Sequence, residues 1–154
     1  MKKDKPRSKR KRYKIPEPGT SPGLYIIDGE ALKPKIVLHT YNDKFYKKET
    51  IKSIHNLDKL IEDKQYFYWL DIKGLGDPDI FETLYSKFDI SRLVLEDITS
   101  SYQRPTMEEY DNDHYIFAVS RHLYLGDDDV LINEQISFIL SDHTLITFQE
   151  TYED

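Results

Sequence analysis

The chain contains no cysteine. That excludes disulfides, thiolate catalysis and cysteine-built zinc sites, and it suits a reducing compartment. Long apolar runs are missing as well: residues 66–70 and 115–119 are the longest, at five residues each, against the roughly 20 that a bilayer-crossing helix needs. The N-terminal stretch has no apolar core of the secretory kind, so a cytosolic setting is the expectation. Glycine is sparse, six in all, and none builds a phosphate-cradling loop. Ser137 lacks the Gly-x-Ser-x-Gly surroundings of a hydrolase nucleophile. His39, His55, His114, His122 and His143 show no His-x-x-x-His spacing for zinc. The residues do not argue for an enzyme.

What is present is charge, unevenly placed. Of 22 lysines and arginines, nine fall within residues 1–14 beside a single acid, Asp4. The remainder carries 13 basic against 27 acidic residues, a net of -14. Such a body repels nucleic acid and attracts cations. The basic run reads as a solvated tail, and three prolines within residues 16–22 forbid a helix there. Residues 1–22 are therefore read as tail and linker, 23–150 as one folded domain, and 151–154 as a junction to further chain.

Within the domain, residues 24–28, 35–41 and 44–50 are rich in Ile, Val and Tyr and predict strands, the last two joined as a hairpin. Ser53 caps a predicted helix to about Glu62, with Ile54, Leu57, Leu60 and Ile61 on one face. The aromatic run 65–71 predicts a buried strand. Asp77 followed by Pro78 starts a helix to about Phe88, and Ser91 caps another over 92–99. From Pro105 the period changes to two: 115–124, 130–140 and 144–149 read as a β-meander. The fold class is α+β, a mixed and largely antiparallel sheet of six or seven strands flanked by helices.

The helix over 92–99 ends in Glu96 and Asp97. Neighbours on a helix diverge by about 100°, so the two carboxylates cannot chelate one ion together, and each needs partners from elsewhere. A single oxygen from either would suit a hydrated Mg²⁺ contact. Other acids read as bland: Asp127, Asp128 and Asp129 as a hairpin tip, and Glu108, Glu109, Asp111 and Asp113 as a solvated strand edge. Arg104 is expected to pair with a nearby acid.

The order Tyr68-Trp69-Leu70-Asp71-Ile72-Lys73-Gly74-Leu75, Leu95-Glu96-Asp97-Ile98, Gln103-Arg104-Pro105, Glu108-Glu109-Tyr110, Glu134-Gln135-Ile136-Ser137-Phe138-Ile139-Leu140 and Ile146-Thr147-Phe148-Gln149-Glu150 resembles the cytoplasmic N-terminal domain of CorA-type magnesium/cobalt transporters. The resemblance implies an αβα sandwich within a homopentamer at the cytoplasmic face of the cell membrane. It implies regulatory Mg²⁺, with Co²⁺ as a second ion, bound between protomers and biasing the channel closed. Asp97 would face an acid on a long helix of the neighbouring protomer, and Glu96 would serve an adjacent site. The stalk and transmembrane helices of that family would follow Asp154. Two alternatives stand beside this reading: the cytoplasmic domain of a ZntB-like zinc transporter, and a metal-independent oligomerisation or docking module. A third, a metal-dependent hydrolase using Glu96, Asp97 and His122, lacks a nucleophile and base constellation.

Overall fold

In the computed structural model, residues 19, 21–100, 103–110, 114–126 and 129–152 are described. The hairpin is formed by β1 (Lys35–Asn42) and β2 (Phe45–Ile51), closing at Asn42 opposite Phe45. The turn is held by the Lys44 N–H donating to Asn42 Oδ1 at 2.9 Å, an asparagine side chain replacing a backbone acceptor. β3 (Phe67–Lys73) pairs with the other edge of β1. After two helices come β4 (Thr106–Tyr110), β5 (Tyr115–Leu125), β6 (Leu131–Leu140) and β7 (Thr144–Gln149). The seven strands lie in the order β2-β1-β3-β7-β6-β5-β4, all antiparallel except β3 with β7. The expected mixed sheet is therefore present.

Alternation along the strands sets the core. Ile36, Leu38, Leu70, Ile72, Phe117, Val119, Ile139, Ile146 and Phe148 are buried and, through the strand register, occupy one face. Against it pack α2 (Pro78–Phe88), through Ile80, Phe81 and Leu84, and α3 (Arg92–Thr99), through Val94, Leu95 and Ile98. Asp77 caps α2 by accepting the Asp79 N–H at 3.0 Å, and Pro78 follows at the first helical position. The opposite face carries a polar and aromatic network instead. His39 stacks on Trp69 with centroids 4.6 Å apart, Trp69 Nε1–H donates to Thr147 Oγ1, and Thr147 Oγ1–H donates to Asp71 Oδ1, both at 2.9 Å. The second helical layer of the expected sandwich is not among the described residues.

Two expectations are corrected. Residues 24–28 form no strand. The segment is tied to the helices instead: the Gly23 N–H donates to Glu96, the Tyr25 hydroxyl to Glu82, and the Tyr25 ring lies 5.5 Å from Phe81. The helix expected over 53–62 shrinks to a 3₁₀ turn at Ile54–Asn56 and α1 (Leu57–Leu60). Ser53 caps it as expected, yet Leu60 is exposed and Asp63 draws the chain into a turn by accepting the Gln65 N–H at 3.0 Å and the Tyr66 N–H at 3.1 Å. One buried turn does not propagate a helix.

Gly74 leaves β3 with φ +91°, and a Cβ built there would lie 2.6 Å from the Lys33 carbonyl oxygen and 2.7 Å from that of Leu32. Gly74→Ala is expected to cost about 2 kcal/mol or more in urea unfolding. Gly29→Ala, where nothing lies within 4 Å, should stay within about 0.5 kcal/mol.

Candidate functional site

α3 presents the two acids because its buried stripe is narrow. Val94, Leu95 and Ile98 face inward, which at about 100° per residue leaves positions 96 and 97 on separate flanks. The helix is anchored at both ends. Ser91 caps it through the Leu93 N–H at 3.3 Å and donates its own N–H to the Tyr115 hydroxyl at 3.1 Å. At the C-terminal end, the Gln135 side-chain amide donates to the Asp97 carbonyl oxygen at 2.9 Å and to Ser137 Oγ at 3.2 Å. Gln135 Oε1 accepts the Gln103 N–H at 3.2 Å.

The acids diverge as the helical geometry requires. Glu96 Oε2 accepts the Gly23 N–H at 2.7 Å, so this carboxylate fastens the segment before β1. Asp97 turns towards the sheet, where its Oδ1 accepts from Gln103 Nε2 at 2.6 Å. Its pKa is raised above the ordinary carboxylate value, first by burial, then by the negative charges of Glu108 and Glu96, against the lowering hydrogen bond from Gln103. Glu108 reaches this side because its register partner on β5 is Phe117, whose side chain lies on the helix-covered face. Tyr110 donates its hydroxyl to Glu108 Oε2 at 3.2 Å, and its pKa is pushed up to about 12 by burial and by that carboxylate. Among the described residues, no lysine or arginine forms an ion pair with Asp97.

Other candidates separate. His122 lies on β5 one position out of step with Phe117 and Val119, so it faces away from α3. Glu96, Asp97 and His122 therefore do not form one site, and the hydrolase reading loses its constellation. Arg104 is exposed and makes no ion pair among the described residues. Asp111, Asp113, Asp127 and Asp128 lie outside the described residues. Among those described, no three His, Asp or Glu side chains are close enough to hold a metal ion together. The carboxylates of Asp97 and Glu108 are oxygen donors of the kind that hard cations take.

The residues alone give Gln103 and Gln135 no role, while Glu108 lies exposed on the edge strand as expected and its charge also acts on Asp97. Gln135 had a signal: it shares the inward parity of Ser137 and Ile139, and a buried amide needs partners.

The family model for a CorA-like Mg²⁺ transporter protein matches residues 64–152, more than half of the chain. The chain belongs to this family. Within it, the Thermotoga maritima cobalt/magnesium transport protein CorA is 35% identical over 88 residues, covering 56% of this chain and 24% of the relative. The chain thus spans about a quarter of that protein's length. Among solved structures, the ZntB cytoplasmic domain from Vibrio parahaemolyticus shares the fold with a TM-score of 0.60 at 16% identity, over 79% of this chain and 46% of that one. The full-length CmaX protein does so with a TM-score of 0.57 at 14% identity, over 75% and 35%. No helix among the described residues is long and apolar enough to cross a membrane.

Because the fold raises the pKa of Asp97, the ionised carboxylate costs stability at pH values above its folded pKa. That cost is absent below the ordinary value of 3.8. Asp97→Asn keeps an acceptor for Gln103 and removes the charge. It is expected to raise denaturant midpoints at neutral pH, with the gain fading to nothing as the pH falls through the carboxylate range. A gain independent of pH would contradict the assigned cause.

Proposed function

We propose that this domain senses divalent cations for a CorA-type Mg²⁺/Co²⁺ transport protein, from the cytoplasmic face of the membrane. The observation that carries this reading is Asp97: a half-buried carboxylate held by Gln103, beside Glu108, with Oδ2 given no protein donor among the described residues. Asp97 is the principal contact, Glu108 adds charge beside it, and Glu96 serves a second, adjacent site through the oxygen not bound to Gly23. The remaining oxygens come from water and from a neighbouring protomer of a homo-oligomer, the pentamer that the family resemblance implies. The stalk and membrane helices that would carry the ion belong to the parent transporter.

The regulation follows from electrostatics. Two acidic surfaces brought together repel, and a divalent cation between them supplies the charge that reverses the sign. A site assembled from two copies binds the cation only in the packed arrangement, so occupancy biases the population towards it. Gln103 and Gln135 hold Asp97 in place beforehand, which reduces the ordering that binding requires.

Titration with MgCl₂ or CoCl₂ is expected to stabilise the chain against heat, by about 1.4 kcal/mol at roughly ten times the dissociation constant. Asp97→Ala should remove most of that response while retaining the fold by circular dichroism. An equal response in the two proteins would sink the assignment. A response to ZnCl₂ alone, lost in the same variant, would favour a zinc-handling member of the family.

A further inference from the structure

We propose that the basic N-terminal run, residues 1–14, is an internal counter-cation that docks on the acidic surface around Asp97 and is displaced from it by a divalent cation. The run is leashed beside that surface. The Gly23 N–H donates to Glu96 Oε2 at 2.7 Å, and Asp97 is the next residue of α3. Gly23 is buried, and a Cβ added there would meet the Arg92 Cβ at 3.0 Å, so the chain enters the fold seated against α3 itself. Ser21 and Pro22, just before it, are exposed. Eight residues, 15–22, separate Lys14 from Gly23, and a leash of that length spans at most about 28 Å.

The surface within reach of this leash carries charge that the folded part does not settle. Glu96, Asp97, Glu108 and Glu109 form no ion pair among the described residues, where lysines and arginines pair with Glu49, Asp58, Asp71 and Glu82 instead. The excess is felt locally, since the carboxylates of Glu108 and Glu96 both push the Asp97 pKa up. Against it the run holds nine lysines and arginines beside one acid, while the rest of the chain has a net charge of -14. Salt screens exposed charges beyond roughly 8 Å, so an untethered peptide of this kind would be held weakly. A short tether changes the balance by keeping the run at a local concentration in the millimolar range. Charge complementarity and the point of attachment together select this segment as the occupant.

Docking of the run stands on these observations alone, whereas its displacement by a cation rests on the cation-sensing reading. A carboxylate covered by lysine and arginine binds an ion only once they leave. The run therefore raises the cation concentration at which the domain responds, and it keeps the acids neutralised when the cation is scarce.

The test uses the 154-residue chain with a nitroxide on Ser8→Cys, unambiguous where there is no other cysteine. Paramagnetic broadening of amide NMR signals is expected at residues 96, 97 and 108. It should be lost in Asp97→Asn/Glu108→Gln, and MgCl₂ should relieve it further than NaCl of equal ionic strength. The variant Lys9→Gln/Arg10→Gln/Lys11→Gln/Arg12→Gln should keep the wild-type circular dichroism while its thermal response needs about threefold less MgCl₂, the effect of removing a competitor held at twice its dissociation constant. A wild-type chain without broadening at the acids overturns the proposal, and an MgCl₂ response equal in wild type and the neutralised variant then leaves the cation reading standing. Broadening relieved equally by the two salts, with no thermal response to MgCl₂, supports the docked run and removes the cation reading. Broadening lost on dilution with unlabelled, isotopically unenriched chain places the run on another copy and overturns the internal contact. Absence of broadening together with sedimentation on phosphatidylserine vesicles, abolished in the neutralised variant, overturns it in favour of an anionic membrane.

Discussion

The buried amide of Gln135 is the constraint on which the candidate site depends. Its nitrogen satisfies a carbonyl at the end of α3, which has no helical partner among the described residues, and its oxygen satisfies the N–H of Gln103. Gln103 then reaches back to the Asp97 carboxylate. One side chain on β6 therefore fixes where the helix ends, where the following loop runs and which way Asp97 turns. Hydrogen bonds of this kind contribute modestly when made, but leaving a buried partner unsatisfied costs about 1–3 kcal/mol. The network is strong because every member has an acceptor or donor within it.

The two acids at the helix end have different occupations. Glu96 closes the fold by holding Gly23, a residue with φ +83° whose added Cβ would meet Arg92 at 3.0 Å. Among the described residues, Asp97 is held on one oxygen only. The division follows from helical geometry, since adjacent positions cannot address the same neighbour. It leaves one carboxylate tied to the segment before β1 and the other facing Gln103 and the charge of Glu108.

Much of the architecture was legible in the sequence because its signals are local. The cap and proline at 77–78, the serine cap at 91 and the alternation through β5, β6 and β7 each report their own few residues. The failures came where distant groups decide. Residues 24–28 have strand composition, yet Glu82 and Glu96 on the helices draw them out of the sheet. The parallel union of β3 with β7 has no local mark, since partners such as Asp71 and Thr147 are 76 residues apart. At the site, the divergence of Glu96 and Asp97 was readable from helix period. The proximity of Glu108 was not, because it depends on which face of β4 turns towards α3.

That central seam has a consequence for how the domain comes into being. β2, β1 and β3 form one antiparallel unit and β4, β5 and β6 another, each assembled from near neighbours in sequence. Among the described strands only β7, the last of the seven in chain order, joins them, with one hydrogen-bonded edge against each half. A ribosome would thus release two separate sheets, each with a bare inner margin, until the final strand slides between them. Folding of this kind closes its longest loop late, and chains cut short before residue 144 would present two sticky margins rather than one shortened protein.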